Sequence, residues 1–437
     1  MKTAILGGGL TGLTLGYLMK QQQKDVEILE KDQECGGLMK TLEHNGFTFD
    51  YFGSHVIFSK NERALNFMLN LLGKNKIRNR RNTKILYNSH LVKYPFENGL
   101  SDLPKEENFE CLYHFIRNTI QREKGKLTKP RNLKEWFSYT FGDAITEKYL
   151  MPYNEKIWKY PPEQMGLEWV ERVPNPPLED VIKSSLGINT EGYTHQLHFY
   201  YPKSGGIQEL IKPLEKKIGN SVTINFEVAK ISGADGNWTI SDGKRDKQCG
   251  KIVSTIPIQI LVKAIDAPTK IKEAANSLKY NSLITVMLGL KRKLKGNISW
   301  LYIPDRKILP HRVNFPSNYS PETAPSGRSS VMAEITCKVE DELWRKKDAA
   351  IASQVIADLH NLNLIDKKDV SFALTRRAEY AYVINDLNYN VNMKIIRNYF
   401  TQKKIGLVGR FSEFRYLNMD DCVKNAMNYA EQIGKRG

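Results

Sequence analysis

The sequence predicts an α/β protein. A parallel sheet is assembled from separated stretches of chain, with a mainly helical insert and an antiparallel-sheet insert between them. Three observations predict it. The chain opens on a short apolar run, Thr3–Leu6, then a glycine-rich turn and a helical segment, the order of a buried parallel strand feeding a helix. A second buried run, residues 405–408, enters Gly409-Arg410 before an amphipathic helix opened by Asp420, with Val423, Ala426, Met427, Ala430 and Ile433 on one face. Between these, residues from about 100 to 195 carry helical patterns, and residues from about 270 to 400 alternate strand-like runs with one helix.

The opening turn reads Gly7-x-Gly9-x-x-Gly12, with Leu10 and Thr11 inside it and a helix expected over residues 13–21. The first glycine permits a tight turn, the second lets backbone approach a pyrophosphate, and the third packs helix against strand. The helix start then offers N–H donors and a positive dipole to phosphates. A second strand, Val26–Leu29, ends on Glu30 and Lys31. The Glu30 carboxylate is placed to accept hydrogen bonds from a ribose. Next come Gly36-Gly37-Leu38, a strand pair over residues 39–42 and 47–50, and Gly53-Ser54-His55.

This run resembles the FAD-binding half of the glutathione-reductase-like flavoproteins, which include amine oxidases, phytoene desaturases and UDP-galactopyranose mutases. The resemblance implies FAD rather than NAD. It also implies a discontinuous Rossmann-like FAD-binding domain from residues 1–75, 200–262 and 400–437. Residues 98–199 form the mainly helical insert with flap loops, and residues 76–97 and 263–399 the antiparallel β-sheet substrate domain. Residues 222–231 and 251–257 read as strands, with Val228 at the adenine and Ser254 near the cofactor as such folds have them.

Composition narrows the remaining classes. Of 437 residues, 41% are hydrophobic and 26% charged, which suits a globular core. The formal charge of +17 favours anionic partners. Its scatter along the chain reads as a solvated surface, and neither zinc-finger spacing nor an aromatic-rich nucleic-acid signature is present. Five separated cysteines and no CxxC point to a reducing compartment. His195 and His198 form an HxxH without a nearby third ligand, so no metal is expected. Glycines interrupt the apolar start, and no stretch approaches a membrane span. A cytoplasmic protein is expected.

A narrower resemblance covers nearly the whole chain. His55-Val56-Ile57-Phe58-Ser59, Tyr94-Pro95-Phe96, Leu103-Pro104-Lys105-Glu106-Glu107, Met151-Pro152-Tyr153-Asn154, Trp158 and Trp169-x-x-Arg172-Val173 are similar to segments of the eukaryotic-type UDP-galactopyranose mutases. So are Trp300-Leu301-Tyr302, Arg312, Ser317-Asn318-Tyr319-Ser320-Pro321 and Gly409-Arg410-Phe411; residues 415–420 are closer to the bacterial mutases. The resemblance implies an isomerase that interconverts pyranose and furanose forms of a UDP-sugar, through a covalent adduct at N5 of reduced FAD and with no net redox change. NADPH or NADH is the implied reductant.

It also implies roles. Arg172 and Arg312 bind the diphosphate, a task that suits guanidinium geometry. Tyr302, Tyr319, Tyr382 and Tyr416 donate to the same group, with core packing the competing reading for Tyr382. Tyr94 and Phe96 correspond to the uracil-binding stretch. Phe58, Trp158 and Trp300 line the pocket, and Asn154 bonds uridine or sugar hydroxyls. His55 lies against the flavin, while Arg81, Thr83, Arg410, Asn418 and Met419 are near the cofactor. Three positions depart from the pattern: Glu97 stands for a glutamine beside the uracil, Gln196 for a flap asparagine, and Ser54 for a glycine. A carboxylate donates to a carbonyl only when protonated. The alternative reading is an oxidoreductase of the amine oxidase or desaturase type. The oligomeric state stays open.

Overall fold

The structure, a computed structural model, describes residues 1–170, 173, 175–191 and 197–434. Five parallel strands form one sheet, in the order Gly406–Leu407, Lys251–Ser254, Thr3–Leu6, Val26–Leu29 and Val222–Thr223. Thr3 lies between Val26 and Lys251, and Val253 pairs with Gly406. Three distant stretches of sequence therefore build one Rossmann-like sheet. Alternating side chains feed two cores. Ala4, Leu6 and Ile252 pack under helices Ile258–Ala264 and Tyr389–Gln402; Ile5, Ile28 and Val253 pack under helices Leu10–Gln21 and Met419–Gly434.

A seven-stranded sheet stands beside it. Its order is Val370–Ile384, Lys279–Leu290, Ser329–Cys337, Arg312–Asn314, Trp300–Tyr302, Thr83–Tyr87 and His90–Lys93. All its pairings are antiparallel except Trp300–Tyr302 with Thr83–Tyr87. Helices Lys105–Glu123, Leu133–Phe141 and Met151–Trp158 pack on one end through Phe115, Phe137, Trp158 and Tyr382. The architecture is a mixed α/β fold with one parallel and one antiparallel sheet.

Several expected elements shift. The first helix begins at Leu10, not residue 13, so Gly12 lies in its first turn. A Cβ on Gly12 would collide with the Gly7 carbonyl oxygen. The expected strand over residues 39–42 gives way to a single 3-10 turn, Gly37–Met39, followed by strand Thr41–His44. The expected strand over 222–231 breaks after Thr223, because Asn225 takes a φ of 53°. Its N–H then bonds Asp32 O, and Phe226 N bonds Glu30 O at 2.8 Å. This kink closes the end of the Val26–Leu29 strand. Ile77–Arg80 pairs with His198–Tyr201 in a ribbon of its own. Among the described residues, no helix is long and apolar enough to cross a membrane, and all five cysteines are buried thiols.

Candidate functional site

The strand ends of the parallel sheet and one face of the antiparallel sheet enclose a cavity of about 970 Å³. That is near the upper end of the roughly 300–1,000 Å³ typical of ligand pockets. Its first part is backbone. Gly7, Gly9, Leu10 and Thr11 line it, and the first amides of a helix have no intrahelical acceptor. Gly36 and Gly37 take φ of 136° and 57°, which side chains disfavour. Gly36 N donates to Gly8 O at 2.9 Å, which holds this second turn against the first. Glu30 is on the wall with its carboxylate fixed: Oε2 accepts from Gly8 N at 2.6 Å and Oε1 from Asp32 N at 2.9 Å. Lys31, Leu38 and Val228 border the same end, and Asn418 and Met419 bring the start of the Met419–Gly434 helix to the wall. Side-chain-free turns, two helix starts and an anchored carboxylate fit a flavin dinucleotide.

The second part of the cavity is cationic and aromatic. Arg312 is on the wall, and its Nη2 donates to Glu334 Oε2 at 2.6 Å. Burial opposes the Arg312 charge, but Glu334 beside it holds the guanidinium well above its ordinary pKa. Glu334 is fully buried and also accepts from Asn314 Nδ2 at 2.7 Å and Ser54 N at 3.1 Å. One carboxylate thus ties Arg312 to the turn that carries His55. Ser54 Oγ completes the tie by donating to Tyr319 Oη at 3.0 Å. Burial pushes His55 down to about 4, against Glu334 and the Gly53 carbonyl, with Arg312 and Arg410 adding to the shift. The imidazole is neutral at pH 7. Its Nδ1–H donates to Gly53 O at 2.8 Å, which leaves Nε2 as an acceptor.

Arg410 is held by the carbonyls of Leu417 and Ala381 at 2.8 and 2.6 Å, with its Cζ 4.5 Å from the Tyr416 ring centre. Tyr416 stacks with Tyr382 at 6.0 Å and 11°. Arg81 sits between two rings, 4.6 Å from Tyr94 and 5.0 Å from Trp300. Phe58, Tyr302, Trp300, Tyr382 and Tyr416 all border the cavity. The Nε atoms of Arg312 and Arg410 and the Nε1 of Trp300 are buried without a hydrogen-bond partner among the described residues. Buried donors of this kind await an acceptor.

Other expected site residues stand behind the wall. Asn154 spends both ends of its amide, donating to Leu150 O at 2.8 Å and accepting from Trp158 Nε1 at 2.9 Å. Trp158 is buried and packs edge-on against Tyr382 and Tyr416, so it supports those rings rather than lining the pocket. Phe96 stacks on Tyr149 at 4.9 Å in the core. Tyr319 uses its hydroxyl on Ser54 and is itself buried. Thr83 accepts from Arg81 Nε at 2.9 Å, which orients the arginine. Ser254 is buried in its strand, Gly12 packs on Gly7, and a Cβ on Gly409 would lie 2.7 Å from Thr11 Oγ1. Glu97 is buried off the wall, and burial pushes its carboxyl up to about 8, so it is protonated at neutral pH. Tyr382 does both: it is buried in the core beneath the helical insert, the packing expected of it, and it also borders the cavity. Arg172, His195 and Gln196 lie outside the described residues.

Sequence reading missed Glu334 and Asn314. Glu334 is the one acid in the strand Ser329–Cys337, which is buried throughout. A charge within a continuous buried strand requires a partner, and that was the available signal. Lys156 was missed too. Its Nζ donates to the carbonyls of Ile303, Asp305 and Pro310 at 2.9, 2.7 and 2.7 Å, which braces the turn leading into Arg312.

The sequence pattern of the flavin containing amine oxidoreductases matches residues 10–378. The chain belongs to this family. FAD follows as the family's cofactor, in keeping with the glycine turns and the fixed Glu30 carboxylate. Among curated relatives, the UDP-galactopyranose mutase of Mycoplasma pneumoniae is 23% identical over 215 residues, 48% of this chain and 51% of that protein. A 4,4'-diapophytoene desaturase (4,4'-diaponeurosporene-forming) of Staphylococcus aureus is 24% identical over 263 residues, 53% of this chain and 49% of that one. The chain spans about half the length of these two relatives. Among solved structures, a reduced UDP-galactopyranose mutase superposes with a TM-score of 0.90 at 24% identity, covering 100% of this chain and 96% of that one. Putrescine oxidase bound to putrescine gives 0.68 at 12% identity, covering 99% of each. At such identities the likeness shows a shared fold.

Proposed function

We propose that this flavoprotein interconverts the pyranose and furanose forms of a nucleotide-linked sugar, UDP-galactose first among those to test, with no net redox change. One observation carries the reading: a half-buried, charged Arg312 faces the cavity among Tyr302, Tyr382 and Tyr416. A guanidinium held there by Glu334 suits the diphosphate of a departing and returning nucleotide, because it carries charge that needs no solvent. An amine substrate would meet repulsion from Arg312 and Arg410, and an apolar one would leave their buried Nε atoms without an acceptor. The mutase names among the relatives agree with this choice.

Reduced FAD, when bound, supplies the electron-rich centre at which the anomeric carbon exchanges its nucleotide. The chain's own groups do the rest. Arg312 grips the diphosphate, and the hydroxyls of Tyr302, Tyr382 and Tyr416 share its oxygens. Arg81, clamped by Tyr94 and Trp300, adds positive charge at the mouth of the same space. Neutral His55 offers an acceptor at Nε2 and sets the backbone beside the cofactor.

The test is direct. The purified holoprotein is reduced with dithionite under argon, given UDP-galactofuranose, and assayed for UDP-galactopyranose by chromatography. Turnover only in the reduced state supports the reading. Peroxide released from an amine or an apolar substrate in air, with no sugar isomerised, overturns it in favour of an oxidase.

A further inference from the structure

We infer that the outer face of the helix Lys105–Glu123 binds the same helix of a second copy of this chain, in antiparallel register. The inner face is ordinary core: Cys111, Phe115 and Thr119 are buried. The outer face is not an ordinary solvated face. Phe109, Tyr113 and Ile120 are 69%, 50% and 43% exposed. They fall at spacings of four and seven, so they share one stripe.

Charges complete that stripe. Glu106 precedes Phe109, Arg117 lies between Tyr113 and Ile120, and Lys124 follows at the helix end. All three are exposed, and none has an ion-pair partner among the described residues. The stripe therefore runs acid, aromatic, aromatic, base, aliphatic, base over about 27 Å at the usual helical rise. The neighbouring Glu110 is already engaged by Lys148 at 2.9 Å.

This order is complementary to its own reverse. A two-fold axis at the level of residue 115 sets Glu106 opposite the second copy's Lys124. The same axis sets Phe109 opposite Ile120 and Tyr113 opposite Arg117. The last pair is a cation facing a ring. Parallel pairing would instead set Glu106 on Glu106 and Arg117 on Arg117. An isologous, two-fold contact is what a self-complementary patch produces.

A helix pair alone falls short of the roughly 800 Å² per partner of a stable interface. The patch is wider than the helix. Asn108 Nδ2 donates to Ser185 O at 2.9 Å and Ser185 Oγ to Asn108 Oδ1 at 2.7 Å. That link brings Leu186 and Ile188, 69% and 52% exposed, beside the same surface. None of these residues lines the 970 Å³ cavity.

Sedimentation velocity on the full holoprotein, from low to high micromolar concentration, tests this. The parent should be a dimer. Tyr113→Arg, which sets a cation against the second copy's Arg117, should be monomeric, with flavin content and melting unchanged. Glu106→Lys and Lys124→Glu should each weaken association by about tenfold, and the double swap should restore it. A parent that is monomeric throughout overturns the inference. So does a dimer indifferent to Tyr113→Arg, or a double swap weaker than either single change.

Discussion

The Nη2 of Arg312 lies 2.6 Å from the Oε2 of Glu334, a carboxylate with no exposed surface. The other oxygen of that carboxylate holds Asn314 and the Ser54 N–H. Charge on the substrate side and the shape of the His55 turn therefore share one anchor. Glu334→Ala should cost up to about 3–5 kcal/mol, because it leaves a half-buried guanidinium and the Asn314 amide uncompensated. Glu334→Gln keeps the acceptor for Ser54 and should lose less. Thermal melts and nucleotide-sugar turnover on both variants check this order.

Removal of Arg312 separates the nucleotide site from the flavin site. Arg312→Ala should weaken UDP binding by roughly ten- to a hundredfold, the scale of one lost charge-assisted contact. The flavin absorbance should be unchanged. Arg172→Ala, expected on sequence grounds to act the same way, belongs in the same titration. Normal UDP binding by both variants would overturn the diphosphate assignment.

Gly12 packs where no side chain fits. Gly12→Ala should abolish flavin retention, since its Cβ would strike the Gly7 carbonyl and open the turn between strand and helix. The ratio of flavin to protein absorbance after gel filtration measures this.

Glu97 gives a pH signature. Its folded pKa is about 8 against an ordinary 4.5. The folded chain holds a proton that the unfolded chain releases between those values. Stability from this group is therefore full below about 4.5 and falls as pH rises through 8. Glu97→Gln should remove the loss, with a gain on the order of 2 kcal/mol at pH 9 and little change at pH 5. Melts of parent and variant across that range decide it. Equal slopes would mean that Glu97 is already ionised at neutral pH.

Sequence alone revealed the dinucleotide end of the site better than the substrate end. The glycine turn and Glu30 lie within thirty residues of each other, and local chemistry specifies them. The substrate end is made by contacts across the chain. Whether Tyr382 or Trp158 meets the cavity depends on which ring stands in front, and no spacing encodes that. Tyr319 and Asn154 are expected at the ligand, yet Tyr319 accepts from Ser54 and donates to Asn314, while Asn154 donates to Leu150 and accepts from Trp158. Strand limits moved for a similar reason. The break after Thr223 follows from hydrogen bonds to Asp32 and Glu30, some two hundred residues earlier.

The central strand Thr3–Leu6 finds its partner Lys251–Ser254 only after half the protein has been made, and that partner finds Gly406–Leu407 later still. On the ribosome the first strand must wait with one edge open while the inserts emerge. Such an edge invites pairing with other chains. Production of this protein should therefore depend on chaperone supply and growth temperature more than its final stability suggests.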